Sequence, residues 1–269
     1  IKQGDASKSF HAGNAAWKGT NGALLAAAGA AGPLGFLEHE VGFLWAYTDE
    51  RDRERLEREA IAEAGSTWEI MKADIKAHPC ILSAHTAIDA TQTLAARHRL
   101  TLEEIDRIVL YQRGYSQRHG MNYRPDSTMA ARLSVPFCVV IGLVEGRVGL
   151  KQFSEDRYTD PEILRHMPKV TVESDLALRE RYPTSASTRA EITTAGGEVL
   201  VEEVGFARGS HRRPMGADEF AAKQRELLGY RMQPSAIERW LAATSDLTRP
   251  GALGEVGELL RSLPKETPR

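Results

Sequence analysis

The stretch Ala84-His85-Thr86-Ala87-Ile88-Asp89-Ala90, followed after a short polar break by Ile105-Asp106-Arg107-Ile108-Val109-Leu110-Tyr111-Gln112, decides the fold class. Around the first segment, apolar residues recur at helical spacing over residues 79–97. The second is dense in β-branched residues and reads as a strand. A helix that gives way to a strand opens an α+β region, and the next residues continue it. Residues 114–127 mix Gly, Pro, Asn, Ser and Arg without a period and form a long loop, a kind of segment that often carries function. Asp126-Ser127 then caps a helix running to about Val144, which Pro136 kinks or splits. Asp160-Pro161 starts a short helix, residues 170–173 and 188–194 read as strands, and Gly196-Gly197 turns the chain into a further strand at 198–204.

Helices flank this region on both sides. Residues 14–31 are rich in Ala, Leu and Gly, which suits a close-packed, largely buried helix, and residues 34–47 suggest another. Residues 51–64 alternate Glu and Arg, as a solvent-facing helix laced with ion pairs does. Residues 67–75 alternate enough to suggest a strand, which places a domain boundary there. After the basic loop 208–213, helices return at 217–228, 234–244 and 253–262. The expected organisation is therefore a helical domain (1–65) interrupted by a smaller inserted α+β domain (66–206) and resumed at 207–269.

Composition narrows the function. With 35 Lys+Arg against 37 Asp+Glu in 269 residues, the chain lacks the basic face of a nucleic-acid protein. The apolar runs are too short or too rich in small residues to span a membrane, and the N-terminus shows no basic, signal-like pattern. Two separated cysteines, Cys80 and Cys138, make neither a disulfide framework nor an iron–sulfur or closed zinc site, and suit a reducing cytoplasm. There is no Gly-rich phosphate loop. The expectation is a protein without a cofactor or a metal, and without nucleic-acid or membrane partners.

The chemistry-bearing residues begin with Ser7-Lys8-Ser9-Phe10-His11-Ala12-Gly13-Asn14. A helix starting near Gly13 or Asn14 would aim free amides at Lys8 and His11, a carboxylate site in outline. Arg132 is suited to a two-point carboxylate clamp or to an ion pair within its helix. His85 lies on an apolar helical face, where a histidine is commonly a satisfied core residue. Arg208, His211, Arg212 and Arg213 form the densest basic spot outside the charged helix, and read as a solvated loop ahead of an anion site.

Lys8, His11-Ala12-Gly13, the small-residue helix and Gly32-Pro33 resemble the MmgE/PrpD (2-methylcitrate dehydratase) family. So, in the same order, do His78-Pro79-Cys80, His85, Ile88-Asp89-Ala90, Ala131 to Cys138, Asp160-Pro161 and Arg213-Pro214. The resemblance implies a lyase, a hydro-lyase acting on 2-methylcitrate or a similar polycarboxylate in propionate metabolism. Epimerases and decarboxylases of the same family are the alternative, and a non-catalytic subunit is a third reading. It implies that Lys8 and His85 are catalytic and that His11 and Arg132 contact substrate. Family members are usually longer and place a helical half before the lysine motif, so the expectation is a fragment, or one subunit that works as a homo-oligomer such as a dimer or with a complementary helical chain. At Phe137 many relatives carry a tyrosine. Phenylalanine donates no proton, and Tyr115, His119 or Tyr123 in the adjoining loop are candidates to replace it.

Overall fold

The computed structural model describes residues 7–37, 39–48, 56, 58–59, 65–66, 68–114, 120–182 and 184–263. The chain divides into two compact units, Ile1–Ala73 and Asp74–Arg269.

In the first unit, α1 spans Ser7–Ala27 and α2 spans Phe43–Tyr47. Helix α1 begins about two turns earlier than the sequence suggests. No proline or β-branched run stops it before Gly13, and a glycine costs a helix only about 1 kcal/mol relative to alanine. Lys8 and His11 therefore lie inside the first turns of the helix, not ahead of its free amides, and Asn14 is not its cap. The helix is also not buried as expected: Phe10, Trp17, Leu24 and Leu25 are all exposed. Of the second expected helix only α2 forms, because residues 34–37 turn back and Phe36 O accepts from Phe43 N at 2.9 Å. The Phe43 ring packs against Phe36 and Tyr47. The strand expected at 67–75 is a 3-10 turn, Glu69–Lys72; its apolar residues Ile70 and Met71 are exposed, and a lone extended segment has no ladder to join. Thr67 lies outside the described residues, as does most of the expected charged helix at 51–64.

The second unit is α+β. It contains α3 (Leu82–His98), β1 (Ile105–Gln112), α4 (Thr128–Leu133), α5 (Val135–Glu145), α6 (Glu155–Tyr158), α7 (Pro161–His166), β2 (Val170–Ser174), α8 (Leu176–Glu180), β3 (Thr188–Thr194), β4 (Val199–Val204), α9 (Ala217–Leu228), α10 (Pro234–Ser245) and α11 (Ala252–Arg261). The sheet order is β2-β1-β3-β4, with β1 and β2 parallel and the other pairs antiparallel. The hairpin β3–β4 turns at Gly197, whose φ of 85° is the left-handed conformation that glycine adopts without cost.

Local signals account for most boundaries. Ser127 Oγ accepts from Ala130 N to start α4, and Ser134 Oγ accepts from Phe137 N to start α5. Pro136 sits in the first turn of α5, so the proline splits one expected helix into two, as its missing N–H requires. Asp160 caps α7 by accepting from Glu162 N. Helix α5 is buried from Val135 to Gly142 and forms the centre of the core. Helix α3 packs on β3, β4 and α5, with Ile88 and Leu94 meeting Ile108, Leu110, Ile141 and Ile192. Polar pins fix it in register: Thr86 and Thr188 share a 2.7 Å hydroxyl contact, and Gln112 Nε2 donates to Ser83 O and Thr188 Oγ1. A smaller cluster, Met232, Ile237 and Leu259, holds the last helices together.

Candidate active site

The sequence places His78, Cys80, His85 and Asp89 within the start of α3 and the turn before it, and the fold buries all four side chains. His85 and Asp89 are one helical turn apart and so share a face. The His78 ring stands edge-on to His85, with ring centres 5.2 Å apart. His78 Nδ1 donates to Val148 O at 3.2 Å, since a carbonyl only accepts, and its Nε2 lies 3.5 Å from Asp89 Oδ1. That second contact is close enough for charge attraction but misses hydrogen-bond geometry. Asp89 Oδ2 accepts from Arg213 Nη1 at 2.7 Å and from Arg208 N at 3.3 Å. Burial alone would raise the Asp89 carboxyl, but His78, Arg213 and Arg208 outweigh it and hold the group below its ordinary value.

His85 is the exception in this cluster. It is 1 % exposed, and neither ring nitrogen has a hydrogen-bond partner. It is therefore a buried histidine but not a satisfied one. An unpaired polar group of this kind costs about 1–3 kcal/mol, which a fold retains where the group meets something other than the protein.

Arg132, on α4, contributes two different ends. Its carbonyl accepts from Ile81 N at 2.9 Å, just before α3, which ties α4 to the histidine turn. Its guanidinium carbon lies 5.8 Å from the centre of the Phe153 ring, and its Nε is buried without an acceptor. That side chain lines a cleft of about 670 Å³ together with Thr128, Glu145, Lys151 and Arg157. A second cleft, of about 520 Å³, has His78 and Arg208 in its wall with Arg147, Lys151 and Lys223. Burial lowers Lys223 below the ordinary lysine value, against the opposing pull of Glu226. The clefts share Leu150 and Lys151, and both are of mixed charge: Asp156 joins Glu145 in the first, and Glu219 and Glu226 stand among the cations of the second. Arg147 and Arg208 are already paired, with Glu226 and Glu219.

Lys8 and His11 belong to the other unit, three residues apart on α1, with His11 exposed. Within the second unit the fold gathers His85 with His78, Cys80 and Asp89. No hydrogen bond, ion pair or ring contact joins His85 to the Arg132 guanidinium among the described residues. Phe137 is fully buried and packs on Phe153, with ring centres 5.8 Å apart. Of its candidate replacements, Tyr115 and His119 lie outside the described residues. The Tyr123 hydroxyl donates to Val170 O at 2.8 Å, and burial raises its pKa, so it is committed to the backbone. In the basic loop 208–213 the residues His211 to Arg213 are exposed, as expected of a solvated loop, but Arg213 reaches Asp89, the Arg208 amide donates to the same carboxylate and His211 pairs with Asp74.

Sequence reasoning passed over His78 and Asp89 as participants. The i,i+4 spacing of His85 and Asp89, seven residues beyond a His-Pro, was the available signal. The profile of the MmgE/PrpD C-terminal domain matches residues 78–248, which span all of these groups. The chain belongs to the MmgE/PrpD family. Similar proteins include the cis-aconitate decarboxylase of Aspergillus terreus, 29 % identical over 238 residues, which cover 84 % of this chain and 47 % of the relative. The cis-aconitate decarboxylase of a defined strain of that fungus is 28 % identical over the same shares. The chain thus spans about half the length of the curated MmgE/PrpD relatives it matches. Among its described residues no helix is long and apolar enough to cross a membrane, and no three His, Cys, Asp or Glu side chains converge as metal ligands do.

Proposed function

We propose that this MmgE/PrpD chain is part of a lyase acting on a small polycarboxylate, with His85 as the proton-transferring group. The observation that carries this reading is the pair of unpartnered nitrogens on a fully buried imidazole, whose ring neighbour, His78, walls a cleft that also holds Lys151 and Lys223. Loss of water from a hydroxy acid requires removal of a proton beside a carboxylate and protonation of the departing hydroxide. A histidine serves either step, and cations stabilise the enediolate between them. The Arg132 guanidinium, with Lys151 beside it in the cleft, is the proposed carboxylate contact. Lys8, and His11 one turn on, are the proposed contributions of α1.

The finer proposal is dehydration of 2-methylcitrate or a close analogue in the cytoplasm. Decarboxylation is the second reading, favoured by what the relatives are named for. For partners, we propose a complementary helical segment or a second copy, because Phe10, Trp17, Leu24, Leu25 and Trp45 of the first unit are exposed apolar side chains that association would cover. The test is to supply 2-methylcitrate and cis-aconitate separately to the native assembly, following the unsaturated acid and released carbon dioxide. Turnover of either that falls at least about a hundredfold in both Lys8→Ala and His85→Gln supports the reading. Turnover unchanged in His85→Gln removes the histidine from the chemistry, and no turnover of any polycarboxylate leaves the non-catalytic subunit.

A further inference from the structure

A third cleft, of about 570 Å³, shares no described residue with the two above and has no part in the chemistry proposed for them. It is built where the end of the long loop before α4 meets the Asp160-Pro161 start of α7. Tyr123 and Pro125 of the loop form one wall. Tyr158 at the end of α6, Pro161 and Leu164 of α7, and Pro168 just before β2 form the other. The Tyr123 hydroxyl, donating to Val170 O at 2.8 Å, bolts the loop to the start of β2 and so holds the walls together.

The lining decides what fits. Its three prolines bring no N–H groups, and with two tyrosine rings and Leu164 they make flat, apolar surface of the kind that packs on an aromatic ring. Polar recognition is left to a few groups. The Tyr158 side chain belongs to a residue only 8 % exposed, and its hydroxyl, unlike that of Tyr123, has no hydrogen-bond partner among the described residues. The Thr159 hydroxyl is spent on Glu155 O. Two cations complete the lining, and no acidic residue stands among the described residues of the walls. Arg165 is already paired, with Glu162 and Glu103, whereas Arg124 is exposed and has no ion pair among the described residues. An unused buried donor and an unpaired guanidinium beside apolar walls complement a flat apolar body that carries one negative charge. We propose that this cleft is a binding site for a small aromatic carboxylate. The ring lies between the loop wall and the α7 wall, and the carboxylate accepts from the Tyr158 hydroxyl and the Arg124 guanidinium.

The site is tested on the full chain by calorimetric titration with naphthoate and, as the control without a ring, acetate. The expected result is one naphthoate bound per chain and no measurable heat from acetate at the same concentrations. Tyr158→Phe keeps the ring and removes only the unpartnered hydroxyl, so it should melt with the wild type while naphthoate affinity falls about tenfold. Arg124→Gln should weaken binding about fivefold and flatten its salt dependence, as loss of an exposed cation does. Arg132→Gln, in a different cleft, should leave naphthoate binding unchanged. Absence of naphthoate binding overturns the proposal. So does acetate binding as tight as naphthoate, or a naphthoate affinity unchanged in both Tyr158→Phe and Arg124→Gln.

Discussion

Arg213 Nη1 donates to Asp89 Oδ2 at 2.7 Å, joining positions 124 residues apart and tying the loop before α9 to the middle of α3. Asp89 is buried while the Arg213 side chain is about half exposed, so the pair is a partly screened one. Replacing Arg213 by Ala leaves the carboxylate with His78 and the Arg208 amide only. The expected cost is about 2 kcal/mol, read as a lower urea midpoint at unchanged slope.

The same carboxylate sets a pH dependence. Its folded pKa lies below the ordinary carboxylate value, so its contribution is fully present above about pH 4 and is lost as pH falls through the lower folded value. Urea midpoints of wild type and Asp89→Asn, measured from neutrality downward, should differ most near pH 7 and converge in acid. A gap that widens in acid would reverse the sign of this argument.

His85→Leu separates a structural histidine from a functional one. With both nitrogens unpaired, the imidazole contributes a penalty and no hydrogen bond. Leucine should hold or raise stability, by about 1 kcal/mol, while activity falls at least about a hundredfold. A loss of about 2 kcal/mol in thermal or urea unfolding would instead mark His85 as a core-packing residue.

Arg132→Gln tests the cleft. If the guanidinium binds a carboxylate that is held equally in ground and transition states, KM rises about tenfold with kcat unchanged. An unchanged KM would leave Arg132 with its carbonyl role at Ile81 alone.

Gly209→Ala reports on the entry to the second unit. Gly209 has φ of 85°, and an added Cβ would collide with the Ile75 carbonyl oxygen. Its own carbonyl accepts from Ile75 N at 2.8 Å, so the two segments have no slack. We expect a loss of about 2 kcal/mol or more, against about 0.5 kcal/mol or less for Gly205→Ala, whose added Cβ meets nothing within 4 Å. Thermal melts of the two variants side by side decide it.

What the sequence made legible was local. Pro136, the Asp160 cap and Gly196-Gly197 each act within a few residues, and the helix break, helix start and hairpin stand where they were expected. The strands read correctly because their β-branched runs end in turns. The start of α1 was misread because capping chemistry was sought at Gly13 when nothing upstream ends the helix. Residues 67–75 were misread because alternation says nothing about whether a partner strand exists. The site was half legible: His85 and Asp89 are neighbours on one helix, but the partners that define their chemistry, His78 through its ring and Arg213 through a loop, arrive by tertiary folding. No local pattern could have told that the imidazole of His85 would be left without a partner.

The parallel pairing of β1 with β2 bears on how the chain assembles. The β3–β4 hairpin closes over a few residues, whereas Ile108 must find Val170 after α4 to α7 have been threaded between them. Loop-closure entropy makes the second event the slower one. The pairing of β1 with β3 spans more chain still, from Ile108 to Ile192, so the hairpin is expected to join β1 last. Until it does, the edge of β1 stands open to pairing with other chains, which makes refolding yield fall as protein concentration rises.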